Sequence, residues 1–265
     1  MKYPSAYLES GTGPSSEAGA TPVVADNAFV NTKMSVDSPA TTVSDSPDIL
    51  SKLDWQSWLP FAAKTYHISP DPNDYILKPM ILMPTDIPNR NGISFPLAEL
   101  VKFQPPPMNR QVYRSWVGTP IHIEHDNEDC TKAIGVVIDT ALRCIKGFGD
   151  DKHWKVFGLL AIDKTKDPKI AQEVLEGKIN TGSMGCTADF FSCSVCGAPA
   201  TKNRFTNCSH ITSTEAVNWN PVTFRGEEHI AFLNAHDLSP IEFSIVRDPA
   251  WAPALSDLQL NWGGD

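Results

Sequence analysis

A succession of short apolar runs, closely spaced and broken by turns, constrains this chain most. Between positions 75 and 163 they read "YILKPMILMP", "QVYRSWVGTPIHIEH", "AIGVVIDTAL" and "HWKVFGLLAID". Each is β-leaning in composition, and the loop "KGFGDDKH" joins the last two as a hairpin. One helix stands out in "DPKIAQEVLEGK". Asp167 is placed to cap it, Pro168 takes its first position, Ile170, Ala171, Val174 and Leu175 form its apolar stripe, and Gly177 stops it. A second helical pattern begins at "DILSKLDWQSWLPFAAKTY", with Ile49, Leu50, Leu53 and Trp58 near helical spacing behind Asp48. The chain returns to extended structure at Ile179, and "HIAFLNAHDLSPIEFSIVRDPAWAPAL" predicts a turn and a strand that breaks at Pro249. Strands with few helices predict an α+β, β-rich fold, a curved sheet or barrel.

Residues 1–47 are rich in Ser, Thr, Pro, Ala and Gly and poor in large apolar residues. Such a segment buries too little surface to offset its ordering entropy, so it is expected to be a disordered arm ahead of a domain over 48–265. The net charge of −9 argues against gripping nucleic acid through its phosphates, and no direct nucleic-acid binding is expected. No apolar run is long enough to span a bilayer, and the stretch "MKYPSAYLESGTG" lacks the apolar core of a signal peptide, so a cytoplasmic protein is expected. In that reducing setting, clustered cysteines point to metal or redox chemistry rather than disulfides.

Four of the six cysteines fall between positions 186 and 208. Cys193, Cys196, Cys208 and His210 form C-x2-C-x11-C-x-H, which supplies the four soft or borderline ligands of a structural zinc site. A redox pair at Cys193 and Cys196 would not need the Cys-x-His that follows. Cys186 is a fifth candidate and could replace His210. The polar stretch between the two halves needs a staple, so 186–212 is read as a zinc-binding insert. "HIE" at His122–Glu124 also invites comparison with a zinc deaminase, which would require His122, Cys193 and Cys196 to share one metal beside Glu124. Ser192 stands where that signature has proline.

Ser183 lies in "TGSMG", where a hydroxyl can be reached by a substrate. A serine nucleophile needs a base, and the base needs a group to orient it. Of the seven histidines, His67 and His153 sit in polar, turn-like contexts, and His229 and His236 flank an apolar strand as rim residues. His125 shares strand parity with Ile121 and Ile123, which puts it on the buried side at a strand end, with His122 and Glu124 pointing away. Glu242, in "SPIEFSIVRDPA", is the notable acid. Asp126 and Asp237 are chemically adequate alternatives, and a solvated strand face is the plain structural explanation of Glu242 alone.

The ordered set "GTPIHIEHD…IGVV", "INTGSMGC" and "IEFSIVRDPA" resembles the prohead (capsid maturation) proteases of tailed bacteriophages. The insert "SMGCTADFFSCSVCG…NCSH" resembles the subset of that family with a Cys-x-x-Cys-Gly and Cys-x-His loop after the Ser-Met-Gly. The resemblance covers roughly residues 75–255 in order; Phe243 after Glu242 departs from the commoner valine. It implies a β-barrel wrapped by helices, similar to the herpesvirus assembly proteases, with Ser183 as nucleophile, His125 as base and Glu242 orienting it. It also implies scaffold protein and major capsid protein as partners and substrates, inside the immature shell in the host cytoplasm. A homodimer is compatible with this reading. Gly182 and Gly185 are expected to let a substrate approach Ser183. "SSEAG" at 15–19 becomes a candidate self-cleavage point, although an ordinary polar linker reads the same way. Because the insert begins close to Ser183, it is expected to wall the substrate cleft, so that zinc removal would weaken cleavage.

Overall fold

The computed structural model describes residues 55–146, 152–200, 208–211 and 217–249. The N-terminal arm, the Asp48 cap, the "SSEAG" stretch, the tip of the "KGFGDDKH" loop, the middle of the zinc insert and the chain after Pro249 lie outside the described residues.

Helix α1 (Trp55–Tyr66) buries Trp55, Trp58, Leu59, Ala62 and Tyr66 along one side. Strand β1 (Tyr75–Pro84) coincides with the first apolar run. Strands β4 (Gly135–Lys146) and β5 (Lys152–Asp163) form the expected hairpin, antiparallel out to Lys146 opposite Lys152. Helix α3 (Pro168–Leu175) starts as its sequence predicts, with the Asp167 carboxylate accepting from Ile170 N at 2.9 Å. Gly177, at φ 69°, adopts the left-handed conformation that ends it.

Other elements differ from expectation. In "QVYRSWVGTPIHIEH" only Pro120–Ile123 is a strand, β3, while Val112–Trp116 is a 3-10 turn. Its groups are satisfied locally, with Ser115 Oγ donating to Val112 O and Val117 N to Arg114 O. The last segment is one 19-residue strand, β9 (Glu227–Ile245), rather than a turn and a strand. Pro240 is tolerated inside it because it stands at a bulge, opposite Cys186. Strand β6 (Gly182–Cys193) runs unbroken through the first part of the supposed insert. The elements β2 (Ile93–Ser94), α2 (Leu97–Val101), β7 (Pro199–Ala200) and β8 (Val217–Phe224) complete the described strands and α-helices.

These strands make a large mixed sheet in the order β1-β5-β4-β3-β9-β6-β7, with β2 and β8 also on β9. Strand β3 runs parallel to β9, and β6 antiparallel to it. Strands β1 and β6 approach each other without pairing. Apolar side chains cover both faces at β1, β4 and β5. One face packs against α1, and the other joins Trp116, Phe243 and Leu233 in the larger core. Burial on two sides explains why these strands read as nearly continuous apolar runs. No described helix is long and apolar enough to cross a membrane.

Candidate active site and metal centre

The C-terminal half of β9 carries two polar side chains into the interior. Glu242 and Ser244 are both 0 % exposed. A buried carboxylate is unfavourable unless it is paired, and Glu242 is paired on both oxygens. His125 Nδ1 lies 2.7 Å from Oε1, and Ser244 Oγ donates to Oε2. Ser244 Oγ also accepts from His125 N at 3.1 Å. The same serine therefore holds the acid and the backbone of the histidine.

Strand β6 supplies the other side. Ser183 stands opposite Ser244, and Gly185 opposite Glu242. Opposed residues on antiparallel strands share a face, with Cβ atoms about 4.5–5.5 Å apart. Ser183, half-buried, thus belongs to the same sheet face as Glu242 and Ser244. The flanking glycines serve packing rather than substrate approach. A Cβ on Gly185 would meet Glu242 Oε1 at 2.8 Å, and one on Gly182 would meet the Phe243 ring at 1.9 Å.

His125 reaches Glu242 by a route that strand parity does not describe. Strand β3 ends at Ile123, and Glu124 and His125 follow with φ of 48° and 61°. This left-handed pair is unusual for non-glycine residues, is strained, and persists only where surroundings fix it. Here Glu124 N donates to Ile245 O and His125 N to Ser244 Oγ. The His125 side chain remains 22 % exposed. His122, expected to point outward, is buried and in register with Ser244.

The alternative acids are elsewhere. Asp126 pairs with Lys132 and Asp237 with Lys102, both at the surface. His67 is exposed, as expected. His236 is more than a rim residue. Its ring stacks on Phe190 at 4.6 Å, its Nε2 lies 2.8 Å from Ser192 Oγ, and its Nδ1 lies 3.6 Å from Glu99 Oε2. Ser192, however, is flanked by β7 and β9 on its two edges. The far edge of β6 at Ser183 has no strand partner among the described residues. Ser183 and Ser192 thus differ in strand surroundings, Ser192 having a strand on each edge and Ser183 only β9 among the described residues. Alternation along "IEFSI" could have singled out Ser244 beside Glu242; nothing local marked Ser192, His236 and Glu99 as neighbours.

The metal-type residues gather at the other end of β6. The ligand atoms of Cys193, Cys196, Cys208 and His210 all lie within 4.8 Å of one another, with Cys193 Sγ 3.9 Å from His210 Nδ1. Tetrahedral bonds of about 2.0–2.3 Å to sulfur and nitrogen fit such a cluster after slight contraction. Cys193–Gly197 forms a tight knuckle. Gly197 N donates to Cys193 O, Gly197 has φ 73°, and the Val195 and Cys196 amides point at the Cys193 sulfur. Burial pushes the Cys193 thiol up to about 11, an unfavourable setting for a thiolate with no cation nearby. Phe224 packs edge-on against His210. These four residues could hold a metal ion. Cys186 is not among them; it sits on β6 opposite Pro240, and burial pushes its thiol up to about 12.

Ten residues of strand separate Ser183 from Cys193, roughly 30 Å at about 3.3 Å per residue. The metal-type cluster therefore does not wall a cleft at Ser183, contrary to expectation. The same separation keeps His122 away from Cys193 and Cys196, so these three do not share a metal. No family model, curated protein or solved structure matches the chain.

Proposed function

We propose that the chain is a serine endopeptidase that cleaves scaffold and capsid-protein propeptides during phage prohead maturation. Ser183 is the nucleophile, His125 its base, and Glu242 the group that orients His125. The observation that carries this reading is the fully buried Glu242 bound to His125 Nδ1, on the sheet face that Ser183 shares. The near approach of β1 and β6 supports a barrel like that of the herpesvirus assembly proteases.

In the reaction, Ser183 Oγ attacks a peptide carbonyl and its proton passes to His125 Nε2. Glu242 at Nδ1 fixes the tautomer and stabilises the imidazolium, which then protonates the leaving amine. Water, deprotonated by His125, hydrolyses the acyl-enzyme. N–H groups on the open edge of β6 are the candidate oxyanion donors. The cysteine–histidine cluster is assigned a structural zinc, because four protein ligands leave no open position for a reactant.

The Cys3His cluster is complete without any of these catalytic residues, which favours a second reading, a non-catalytic scaffold-binding capsid component. Co-expression with the cognate scaffold or capsid protein separates the two. Cleavage by the wild-type chain and none by Ser183→Ala is expected. Stable association without cleavage by either would replace the protease with the binding component.

A further inference from the structure

Strands β6 and β9 bring a second hydroxyl to a second imidazole, nine residues along β6 from Ser183. Ser192 stands opposite Asn234, and His236 opposite Phe190. Residues on the diagonal of a strand pair are within reach of long side chains, and His236 Nε2 lies 2.8 Å from Ser192 Oγ. Helix α2 adds a buried acid. Glu99 Oε1 accepts from Asp237 N at 3.0 Å, and Glu99 Oε2 faces His236 Nδ1 at 3.6 Å. We propose that Ser192, His236 and Glu99 form a second nucleophilic site, one that takes aryl esters and other activated acyl compounds. It does not depend on the assignment of Ser183.

The order of parts is that of a serine hydrolase. Glu99 favours the tautomer with hydrogen on Nδ1, which leaves Nε2 to accept from the Ser192 hydroxyl. The distance from Nδ1 to Oε2 exceeds a hydrogen bond, as catalytic contacts commonly do before a reactant binds. Ser192 is half-buried and the His236 side chain 23 % exposed, so neither is sealed in the core. Phe190 stacks on the imidazole at 4.6 Å and is itself 43 % exposed, a surface on which an aryl group can stack. Oxyanion donors are what the site lacks. Cys193 N donates to Ala198 O at 2.9 Å, and Ser194 N to Phe232 O at 2.8 Å. One missing donor costs about 10²–10³-fold in rate, which selects for a reactant whose leaving group departs readily and against a peptide. In the step, Ser192 Oγ bonds to the acyl carbon and its proton passes to His236 Nε2. The bond to the aryl oxygen breaks, the phenolate leaves, and His236 returns the proton to solvent. Water then hydrolyses the acyl-serine with His236 again as base.

The test uses the full chain carrying Ser183→Ala, treated with p-nitrophenyl acetate, with acetyl transfer to each serine followed by tandem mass spectrometry. Ser192 should acetylate at least about 10²-fold faster than the exposed Ser239, the gain that a positioned base supplies. Adding His236→Gln keeps a hydrogen-bonding group and removes the base, and should bring Ser192 down to the rate of Ser239. Glu99 is a positioning residue, acting through His236. Glu99→Gln keeps the acceptor for Asp237 N and loses the charge. It should lower the maximal acetylation rate about ten-fold and leave the half-saturating ester concentration within about two-fold, whereas damage to the site would move both. Acetylation of Ser192 no faster than that of Ser239 overturns the site, as does a rate that H236Q leaves unchanged. A rate unchanged in E99Q overturns the three-residue array. Should H236Q not fold, His236→Asn, which also lacks a base, takes its place. Should S183A not fold, the wild-type chain gives the same readout, because acetyl groups on Ser183 and Ser192 are told apart by position. Peptide cleavage is not expected of Ser192, so its loss in S183A and the acetylation of Ser192 are read separately.

Discussion

Glu242 shows how closely one residue's environment depends on another's absence. Its carboxylate is held by His125 on one oxygen and Ser244 on the other, and it fits only because position 185 has no side chain. In Gly185→Ala, the new methyl would lie 2.8 Å from Oε1 and 3.1 Å from Cγ, and the clamped carboxylate has nowhere to retreat. The variant should fold with a stability loss of about 1–3 kcal/mol, as overpacking typically costs. Its fluorophosphonate labelling at Ser183 should fall by about 10²-fold, as a small misplacement of a catalytic group allows. Labelling within two-fold of wild type would show that Glu242 does not set His125. Glu242→Gln, which keeps the shape and loses the charge, should lose about 10³–10⁴-fold, by analogy with the amide variant of a serine-protease acid. Gly182→Ala is the contrasting case. Its methyl would strike the Phe243 ring at 1.9 Å, in the core rather than at the acid, so thermal unfolding should report it first.

At the scale of elements, β6 joins two centres that the sequence sets side by side. Measured along the strand, Ser183 and the Cys193 knuckle lie at its opposite ends. The cluster ties the end of β6 to the segment around Cys208 and His210, with Phe224 of β8 packed on that histidine. Cys196→Ser should therefore abolish stoichiometric zinc, measured by metal analysis of the purified chain. It should also lower the melting temperature and speed proteolysis within 193–224, because a structural zinc site contributes folding energy directly. Ser183 labelling should stay within about three-fold of wild type, since sites without shared partners act almost independently. A loss of labelling as deep as that of G185A would mean that the two ends of β6 are coupled. What the sequence revealed here followed from how local each signal is. The cap at Asp167, the stop at Gly177 and the β4–β5 hairpin are encoded within a few residues, and all were readable. So was the four-residue metal pattern. Strand β9 was not, because Asp237, with φ 49°, and Pro240 look like breaks unless the partner strands that hold them are known. The face of His125 was misjudged for a related reason. Parity counts only while a strand continues, and β3 stops two residues earlier.

The whole molecule places apolar cores on both faces of β1, β4 and β5, and that arrangement leaves little room for ionised groups between them. Asp139 sits there, directly after Ile138, the residue skipped at the β4 bulge, with Val137 in one core and Ile138 in the other. Its carboxylate accepts from Thr140 N at 2.8 Å, and Arg114 and Arg143 are the nearby cations. Burial still dominates and pushes its carboxyl up to about 6. The folded state therefore holds this proton more tightly than the unfolded chain does. Stability should be unaffected by Asp139 below about pH 4, should fall as the pH rises to about 6, and should stay reduced above that. Two pKa units correspond to about 3 kcal/mol as a ceiling. The net charge of −9 adds surface repulsion over the same range, so wild-type melting curves alone cannot isolate the residue. Asp139→Asn removes the ionisation and keeps the shape. At pH 7.5 it should melt above wild type by about 2–6 °C, the shift expected for 1–2 kcal/mol in a domain of this size. At pH 4, where Asp139 is protonated when folded, the two should melt within about 1 °C of each other. An equal shift at both values would assign the gain to packing, and a lower melting temperature at pH 7.5 would mean that the Arg114 and Arg143 charges outweigh the burial.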